Sequence, residues 1–407
     1  MTNVLSVDQI RSHFPALTRH HNGKPVAYFD APGGTQVPRA VAEAMTEYLF
    51  AHNANTHWSY PTSAETDAMI DAARVACAEF LNATAGEIVF GANMTTLTFH
   101  LARTLGRTWQ PGDEVVVTEL DHFANVSSWR ALEVDRGIVI RVARMNPETA
   151  QLDYGHLASL VGTKTRLIAV GGASNAVGTV SDLERVAAIA RDAGALFFVD
   201  AVHLAPHELI DVQRIGCDFL ACSSYKFYGP HAGILFARRA LLEALPFPKV
   251  QPAPDNAPER AETGTQNHEA IAGILATIDF LASLAGEEGT RRARLARTYD
   301  ALHARGLAQA RRLWEGLRAI DGVRVYGPDP SQPRTPTLAF TLANVDAERI
   351  VEALANEALF VSHGNFYAAT VIDRLGVPEV VRVGCAAYTT DEEVERLLDC
   401  VRRLAIA

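Results

Sequence analysis

Cysteine is scarce and unpatterned in this chain. Five cysteines occur in 407 residues, at positions 77, 217, 222, 385 and 400, with no CxxC pair and no even set for a disulfide framework. A disulfide-stapled secreted domain is therefore excluded, and reduced thiols of a cytoplasmic protein are expected. Long apolar runs are also missing: no stretch approaches the roughly 20 residues of a membrane span. The start, Met1 to Phe14, is polar and broken by charges, so no signal peptide is expected. No block of lysine or arginine stands out, and the net charge is −10. Neither nucleic acid nor an anionic membrane is an expected partner. Internal repeats and low-complexity segments are absent.

What is present suits a soluble globular protein. With 48% hydrophobic and 21% charged residues, the chain can bury the cores of one large and one smaller domain. Short apolar runs read as buried strands at Glu114–Thr118, Arg166–Val170, Leu196–Asp200, Phe219–Cys222 and Ile234–Ala237. Between the second and third, Ser181 and Glu184 have capping-box spacing ahead of Val186, Ala187, Ile189 and Ala190, which marks a helix start. Strand–helix–strand alternation of this kind predicts a mainly parallel sheet covered by helices. Ligand groups in such sheets gather at the carboxyl ends of the strands. A Pro-rich stretch, Leu245 to Pro258, interrupts the alternation, and a long helical region follows from about Glu269 to Ile320. The remainder reads as strand (Thr337–Leu342), helix (Ala347–Ala358), loop (Ser362–Tyr367), strand (Val380–Gly384) and helix (Asp391–Leu404), an α+β C-terminal domain.

Two neighbouring segments carry the chemistry. The run Phe197-Phe198-Val199 ends in Asp200. A second run ends in the hydroxyl-rich turn Ser223-Ser224-Tyr225-Lys226-Phe227-Tyr228-Gly229-Pro230. This arrangement is what pyridoxal phosphate requires. The lysine amine forms a Schiff base with the aldehyde, and the carboxylate keeps the pyridine nitrogen protonated so that the ring draws electrons. Asn93-Met94-Thr95-Thr96 lies between an apolar run and a helical pattern. It reads either as a phosphate cradle at a helix N-terminus or as a plain Thr N-cap. His122 follows the strand Glu114–Thr118, and its imidazole can stack on a flat ring or relay protons. Asn175 can hydrogen-bond a phenolate oxygen or a substrate carboxylate. His203, three residues past Asp200, is expected to aim at the O3′ edge of the ring. Its spacing to His207 would suit a metal, but Pro206 interrupts the helix and no third ligand is evident, so no metal is expected. Arg382, a charge inside a strand-like run, reads as a bidentate clamp for a substrate carboxylate.

Taken together, these residues resemble the class V aminotransferases, pyridoxal-phosphate-dependent enzymes of fold type I. Within that family they resemble the cysteine desulfurase and selenocysteine lyase-like branch. The resemblance runs from Tyr28-Phe29-Asp30-Ala31 to Tyr388-Thr389-Thr390-Asp391-Glu392-Glu393. It is carried by Thr95-Thr96, Asp121-His122, Ser174-Asn175, Asp200, Ser223 to Lys226, Gly264-Thr265 and Arg382. The resemblance implies that Lys226 is the Schiff-base lysine, Asp200 the pyridinium partner and His122 the ring-stacking imidazole. Thr95, Thr96 and Ser223 would hold the phosphate, with Asn175, His203 and Tyr225 also at the cofactor. Thr265 would reach the phosphate of a neighbouring subunit, which implies a homodimer with shared active sites. Asn175 and Arg382 would hold the substrate carboxylate. The implied fold is α/β, with a seven-stranded, mainly parallel sheet in a large domain and a smaller α+β C-terminal domain. Its expected divisions are an N-terminal arm packing with the small domain (1–25), the large domain (26–265), a connecting helix (266–300) and the small domain (301–407).

Departures from the pattern bear on the reaction. Desulfurases of this branch carry a nucleophilic cysteine on a small-domain loop. Here that loop reads Val361-Ser362-His363-Gly364-Asn365-Phe366-Tyr367-Ala368, with Tyr367 in place of the cysteine and Ser362 in place of an arginine. A phenol cannot take up sulfur as a persulfide. Cys385 is expected to point away from Arg382, and Cys222 to pack in the core. His203 replaces a usual glutamine, Tyr225 a usual histidine and Trp58 a usual arginine. Trp58, Phe366 and Tyr367 are therefore expected as aromatic pocket walls. The chain is expected to act on a small α-amino acid through a Cα carbanion, by β-elimination or transamination. Desulfuration through another thiol, racemisation and a non-catalytic cofactor-binding scaffold are the alternatives.

Overall fold

Seven short segments align in one sheet in the computed structural model, which describes residues 4–406. Met1–Asn3 and Ala407, the outermost residues of the expected arm and C-terminal domain, lie outside the described residues. The strands are β1 (Ile88–Gly91), β2 (Glu114–Thr118), β3 (Val139–Ala143), β4 (Thr165–Gly171), β5 (Leu196–Asp200), β6 (Phe219–Ser223) and β7 (Gly233–Ala237). Their order across the sheet is β1-β7-β6-β5-β4-β2-β3. The pairs β6-β5, β5-β4, β4-β2 and β2-β3 are parallel, and β7 runs antiparallel to both its neighbours. The reason for the exception is chain length. Only the turn Ser224–Ala232 joins β6 to β7, too short for the crossover of a dozen or more residues that a parallel pair needs. The strands are buried almost throughout, as expected where helices cover both faces.

The edge strand β3 was not legible beforehand. Its residues are only half-buried and it carries the exposed Arg141. The helix Leu183–Asp192 is capped by Asp182, which accepts from the Arg185 N–H, and not by Ser181. Ser181 instead donates its hydroxyl to the carbonyl of Gly171, 2.7 Å away, at the end of β4. The long helical region is two helices, His268–Ser283 and Arg291–Arg318, so the second crosses the expected boundary at residue 300.

The C-terminal domain holds a four-stranded antiparallel sheet in the order β8 (Val323–Tyr326), β9 (Thr337–Leu342), β11 (Val380–Gly384) and β10 (Ser362–Gly364). Val381, Val383 and Cys385 share a core with residues of the helices Arg291–Arg318, Ala347–Asn356 and Asp391–Ile406. Strand alternation then sends Arg382 to the opposite face, toward the large domain. Ala27 and Phe29 also lie in this small-domain core, because Ala27–Tyr28 pairs in parallel with Leu359–Phe360. The segment just after residue 26 thus belongs structurally to the small domain. The preceding arm is tied on by an Arg11–Glu393 ion pair of 2.9 Å. Gly178 marks where the domains meet. Its φ is +81°, and a Cβ there would lie 2.4 Å from the Thr337 carbonyl oxygen, so no larger residue fits.

Candidate active site

The carboxyl ends of β1, β2, β4, β5 and β6 open onto one cleft of about 700 Å³. At its anionic end, Asn93 caps the helix Met94–Gly106 by accepting the Thr96 N–H at 2.9 Å. Thr95 and Thr96 therefore stand in the first turn. Neither is the cap. Ser223, the last residue of β6, accepts the Met94 N–H through Oγ at 2.9 Å. Among the described residues no acceptor takes the Thr95 N–H. Helix N-termini with free N–H groups attract anions. Gly233 allows this approach, since a Cβ there would lie 2.6 Å from the carbonyl carbon of Asn93.

Asp200 ends β5 and is 6% exposed. One of its oxygens accepts the Val202 N–H at 2.9 Å. Among the described residues no donor takes the other. Burial pushes its carboxyl up to about 6, against the opposing pull of that N–H and of Lys226. A buried carboxylate without an ion-pair partner suits a protonated ring nitrogen.

Lys226 is placed by what flanks it. Phe227 is fully buried and stacks on Phe80 at 5.1 Å, so the turn is anchored in the core on one side. Burial of such a ring is worth about 1.5–3 kcal/mol. Thr35 ties the turn from outside. Its N–H donates to the Tyr225 carbonyl at 3.0 Å and its Oγ1 accepts the Tyr228 N–H at 2.7 Å. Lys226 Nζ then reaches the Pro32 carbonyl at 2.5 Å and lies 4.8 Å from the centre of the Tyr225 ring. Burial first, and then the charge of Arg382, depress the amine to about 7, with Asp200 and Asp30 opposing.

Asp121 explains the position of His122. Its buried carboxylate accepts from the Thr118 N–H, the Gly171 N–H and the Asn125 side chain, joining the ends of β2 and β4 to the helix Ala124–Arg136. His122 Nδ1 accepts the Ala124 N–H at 3.0 Å. Burial, then Lys226 and Arg382, lower its pKa to about 4, so it is a neutral imidazole with its proton on Nε2.

A second chamber of about 600 Å³ adjoins the first past Lys226, lined in part by Phe99, Phe123, Phe366, Tyr367 and Arg382. The Arg382 guanidinium lies 3.9 Å from the centre of the Phe366 ring. It donates to the Asn175 carbonyl at 3.0 Å and to Ser362 Oγ at 3.3 Å, while its Nε is buried without a partner. No carboxylate among the described residues forms a salt bridge with it. Burial lowers its pKa to about 9. A buried cation left this way is built for an incoming carboxylate. The loop behind it is tied to the large domain: the Phe123 N–H donates to the Tyr367 carbonyl at 2.7 Å and Asn175 Nδ2 to the Phe366 carbonyl at 2.9 Å. Asn175 thus spends one of its two N–H bonds on the loop. Phe366 and Tyr367 both have left-handed backbones, with φ of +55° and +57°.

The structure separates some expected site residues from the cleft. Trp58 is 61% exposed and lines neither chamber, because its segment runs over the outside of the large domain. Thr265 lines two neighbouring pockets instead, one with Thr96 and His231 and the other with Asn55 to His57 and Val250. His203 lines the cleft, but its Nε2 is engaged by Thr335 and Thr337 Oγ1 at 3.2 and 3.0 Å. That nitrogen therefore faces the small domain, which leaves Nδ1 for the expected aim at the ring. Among the described residues no cysteine lines either chamber and no group of three or more His, Cys, Asp or Glu is set to hold a metal. Cys222 is buried and pushed up to about 12, and burial raises Cys385 further. Sequence reasoning did not flag His231 or the carbonyl of Pro32. His231 was legible only as a titratable residue in the turn between Lys226 and β7.

A lysine and a buried carboxylate at adjacent strand ends, beside a neutral imidazole and a helix-borne anion cradle, define a pyridoxal-phosphate enzyme of fold type I. The sequence profile described as Aminotransferase class-V matches residues 27–397. The chain is 31% identical to a cysteine desulfurase of Pectobacterium carotovorum subsp. carotovorum (strain PC1) and 33% identical to one of Klebsiella pneumoniae (strain 342), each match covering 98% of both chains. Among solved structures, the apo cysteine desulfurase of Thermococcus onnurineus NA1 superposes with a TM-score of 0.90 at 26% identity over all of both chains. The cysteine desulfurase CsdA of Escherichia coli, in its S-sulfonic acid form, gives 0.86 at 27% over 98% of each chain. The chain belongs to the class V aminotransferase family. No helix among the described residues is long and apolar enough to cross a membrane.

Proposed function

We propose that this enzyme is a cytoplasmic β-eliminating lyase acting on a small α-amino acid that bears a leaving group at Cβ, typically through sulfur. The observation that carries the reading is the second chamber. A lyase must house the departing substituent beyond Cβ, and this chamber gives it room; a transaminase of a long side chain would use the same room, so the products decide between the two. The aromatic lining of Phe99, Phe123, Phe366 and Tyr367 suits an apolar one. The lack of a thiol in either chamber weighs against persulfide transfer, since Cys222 and Cys385 are buried elsewhere.

Bound pyridoxal phosphate supplies an electron sink for the negative charge that develops at Cα. Thr95, Thr96 and Ser223 would hold its phosphate, Asp200 its protonated nitrogen, and His122 would cover its face. Arg382 binds the substrate carboxylate with its guanidinium already oriented by Phe366, Ser362 and the Asn175 carbonyl, so little ordering is left to do on binding. Lys226, freed as a neutral amine, removes the Cα proton. Its depressed pKa makes the unprotonated form abundant near neutrality. The Cβ–S bond breaks with both electrons leaving on sulfur, which takes up a proton. Water then supplies the carbonyl oxygen of the keto acid and the nitrogen leaves as ammonia.

Product analysis tests this reading. Turnover of S-substituted cysteines is expected to release pyruvate, ammonia and free thiol in equal amounts, with the absorbance of the resting enzyme restored. Accumulation of the pyridoxamine form with a matching keto acid would instead make it a transaminase. Protein-bound persulfide would restore the desulfurase reading.

We further propose that the active unit is a homodimer. Leu49, Phe50, Trp58, Tyr60 and Val250 are all exposed, and Val250 lines one pocket with Asn55, Thr56, His57 and Thr265. A second copy covering this face would carry Trp58 and Thr265 to the neighbouring site. Sedimentation is expected to give a mass of twice 44.1 kDa, and Phe50→Glu with Trp58→Glu is expected to shift it toward one chain. A single-chain mass for the unaltered protein would end the proposal.

A further inference from the structure

The anion cradle has few free donors. Its donors are the hydroxyls of Thr95, Thr96 and Ser223 and, among the described residues, the one free N–H of the helix start, that of Thr95. The cofactor phosphate is a dianion, and each hydrogen bond to such a group is about twice as strong as one between neutral partners, so one more donor counts. His231 is placed to supply a further side-chain donor. It follows Lys226 by one turn and precedes β7, and it lines the cleft together with Asn93, Thr95, Thr96 and Ser223. Each of the other imidazoles of the cleft has one nitrogen engaged. His122 accepts a backbone N–H, and His203 meets Thr335 and Thr337. Lys226 is held by the Pro32 carbonyl, and Arg382 lines the other chamber only.

The His231 ring lies flat on Tyr225, with centroids 4.7 Å apart and planes 14° from parallel. A stack this close fixes the plane of the imidazole and so the line along which its ring nitrogens point. Among the described residues neither ring nitrogen of His231 nor the Tyr225 hydroxyl has a hydrogen-bond partner. Tyr225 stands where the family pattern has a histidine. The imidazole is thus missing at position 225 and present at 231, one ring-stacking distance away.

We propose that His231 is a binding residue for the cofactor phosphate and that Tyr225 is its positioning residue, the pair replacing the family histidine. This rests on pyridoxal phosphate being the cofactor, and the test separates the two claims. Cofactor-free enzyme is titrated with pyridoxal phosphate and, separately, with pyridoxal, which has the same ring and aldehyde but no phosphate. For His231→Ala, affinity for pyridoxal phosphate is expected to fall about 10-fold or more, as for a lost hydrogen bond to a charged group. Affinity for pyridoxal is expected to stay within about twofold, since every contact to the ring remains. His231→Lys is expected to recover most of the loss, and Tyr225→Ala to show the same phosphate-selective loss in smaller degree. Equal losses for both ligands, or none, would overturn the assignment. Should His231→Ala fail to fold by circular dichroism, His231→Gln is judged by the same ratio. An unaltered protein that binds pyridoxal phosphate no better than pyridoxal would remove the phosphate site itself.

Discussion

Lys226→Ala is expected to leave a folded protein that turns over no substrate. Its side chain contributes little to the fold: one hydrogen bond to the Pro32 carbonyl and a contact with the Tyr225 ring. The turn is held by Phe227 in the core and by Thr35, neither of which the change touches. Loss of the group that moves the Cα proton costs roughly 10²–10⁴ in rate, and loss of the covalent link to the cofactor adds to it. The expected fall in kcat is therefore about a thousandfold or more, with an unchanged circular dichroism spectrum. Retention of activity within about tenfold would sink the assignment. A physiological role that survived the substitution would favour a cofactor-binding scaffold.

The same amine predicts a pH signature. Only the unprotonated amine attacks the cofactor aldehyde. With its pKa lowered from 10.5 to about 7, Lys226 loses its proton as pH rises through 7. Cofactor capture by the cofactor-free protein should rise over that range and level off above it. Arg382 is the second cause of the depression, after burial. Arg382→Ala should therefore move the midpoint to higher pH, by stopped-flow absorbance. A midpoint unmoved in the variant would mean that burial acts alone.

Glu262→Ala is expected to give the largest loss of stability. Its carboxylate takes both terminal nitrogens of Arg74, at 2.9 and 2.8 Å, and also accepts the Phe90 N–H at 2.8 Å. Both side chains are 8% exposed. Cutting away the carboxylate strands a guanidinium in the interior and leaves a strand N–H unpaired. Breaking a buried pair from one side typically costs about 3–5 kcal/mol. Denaturant unfolding of the cofactor-free protein would read it. Because Phe90 lies three residues before Asn93, a weaker grip on pyridoxal phosphate should accompany the loss. Glu262→Gln keeps an acceptor for Phe90 and should cost less. A change below about 1 kcal/mol for the alanine variant would show that the pair is no better than a surface bridge.

Much of the site could be read from the chain because the chemistry sits where patterns break. Asp200 and Ser223 each end an apolar run, and Arg382 is a charge between buried valines. Such breaks are local and need no knowledge of packing. Other features depend on what the chain meets in space. Ser181 and Asp182 are both good caps, and the choice fell to Asp182 because the Gly171 carbonyl takes up the Ser181 hydroxyl. Trp58 is exposed and lines neither chamber of its own cleft, which no pattern within residues 56–60 encodes. The pairing of Ala27–Tyr28 with Leu359–Phe360 spans more than three hundred positions, so no local pattern encodes it. The stack of His231 on Tyr225 depends on how the turn after Lys226 closes, and only coordinates show that.

The tethered loop at Phe366 and Tyr367 also bears on where the product goes. A sulfur carrier has to swing outward and offer its cargo to an acceptor protein. Here the tip is fastened to the large domain from two directions, by a backbone N–H of residue 123 and by the amide of Asn175. Its two left-handed aromatic residues are already committed to one conformation. On the proposed lyase reading, a courier so tethered would deliver nothing by hand: the product would leave as a free small molecule through the solvent, and the next step would belong to any catalyst that can catch it by diffusion.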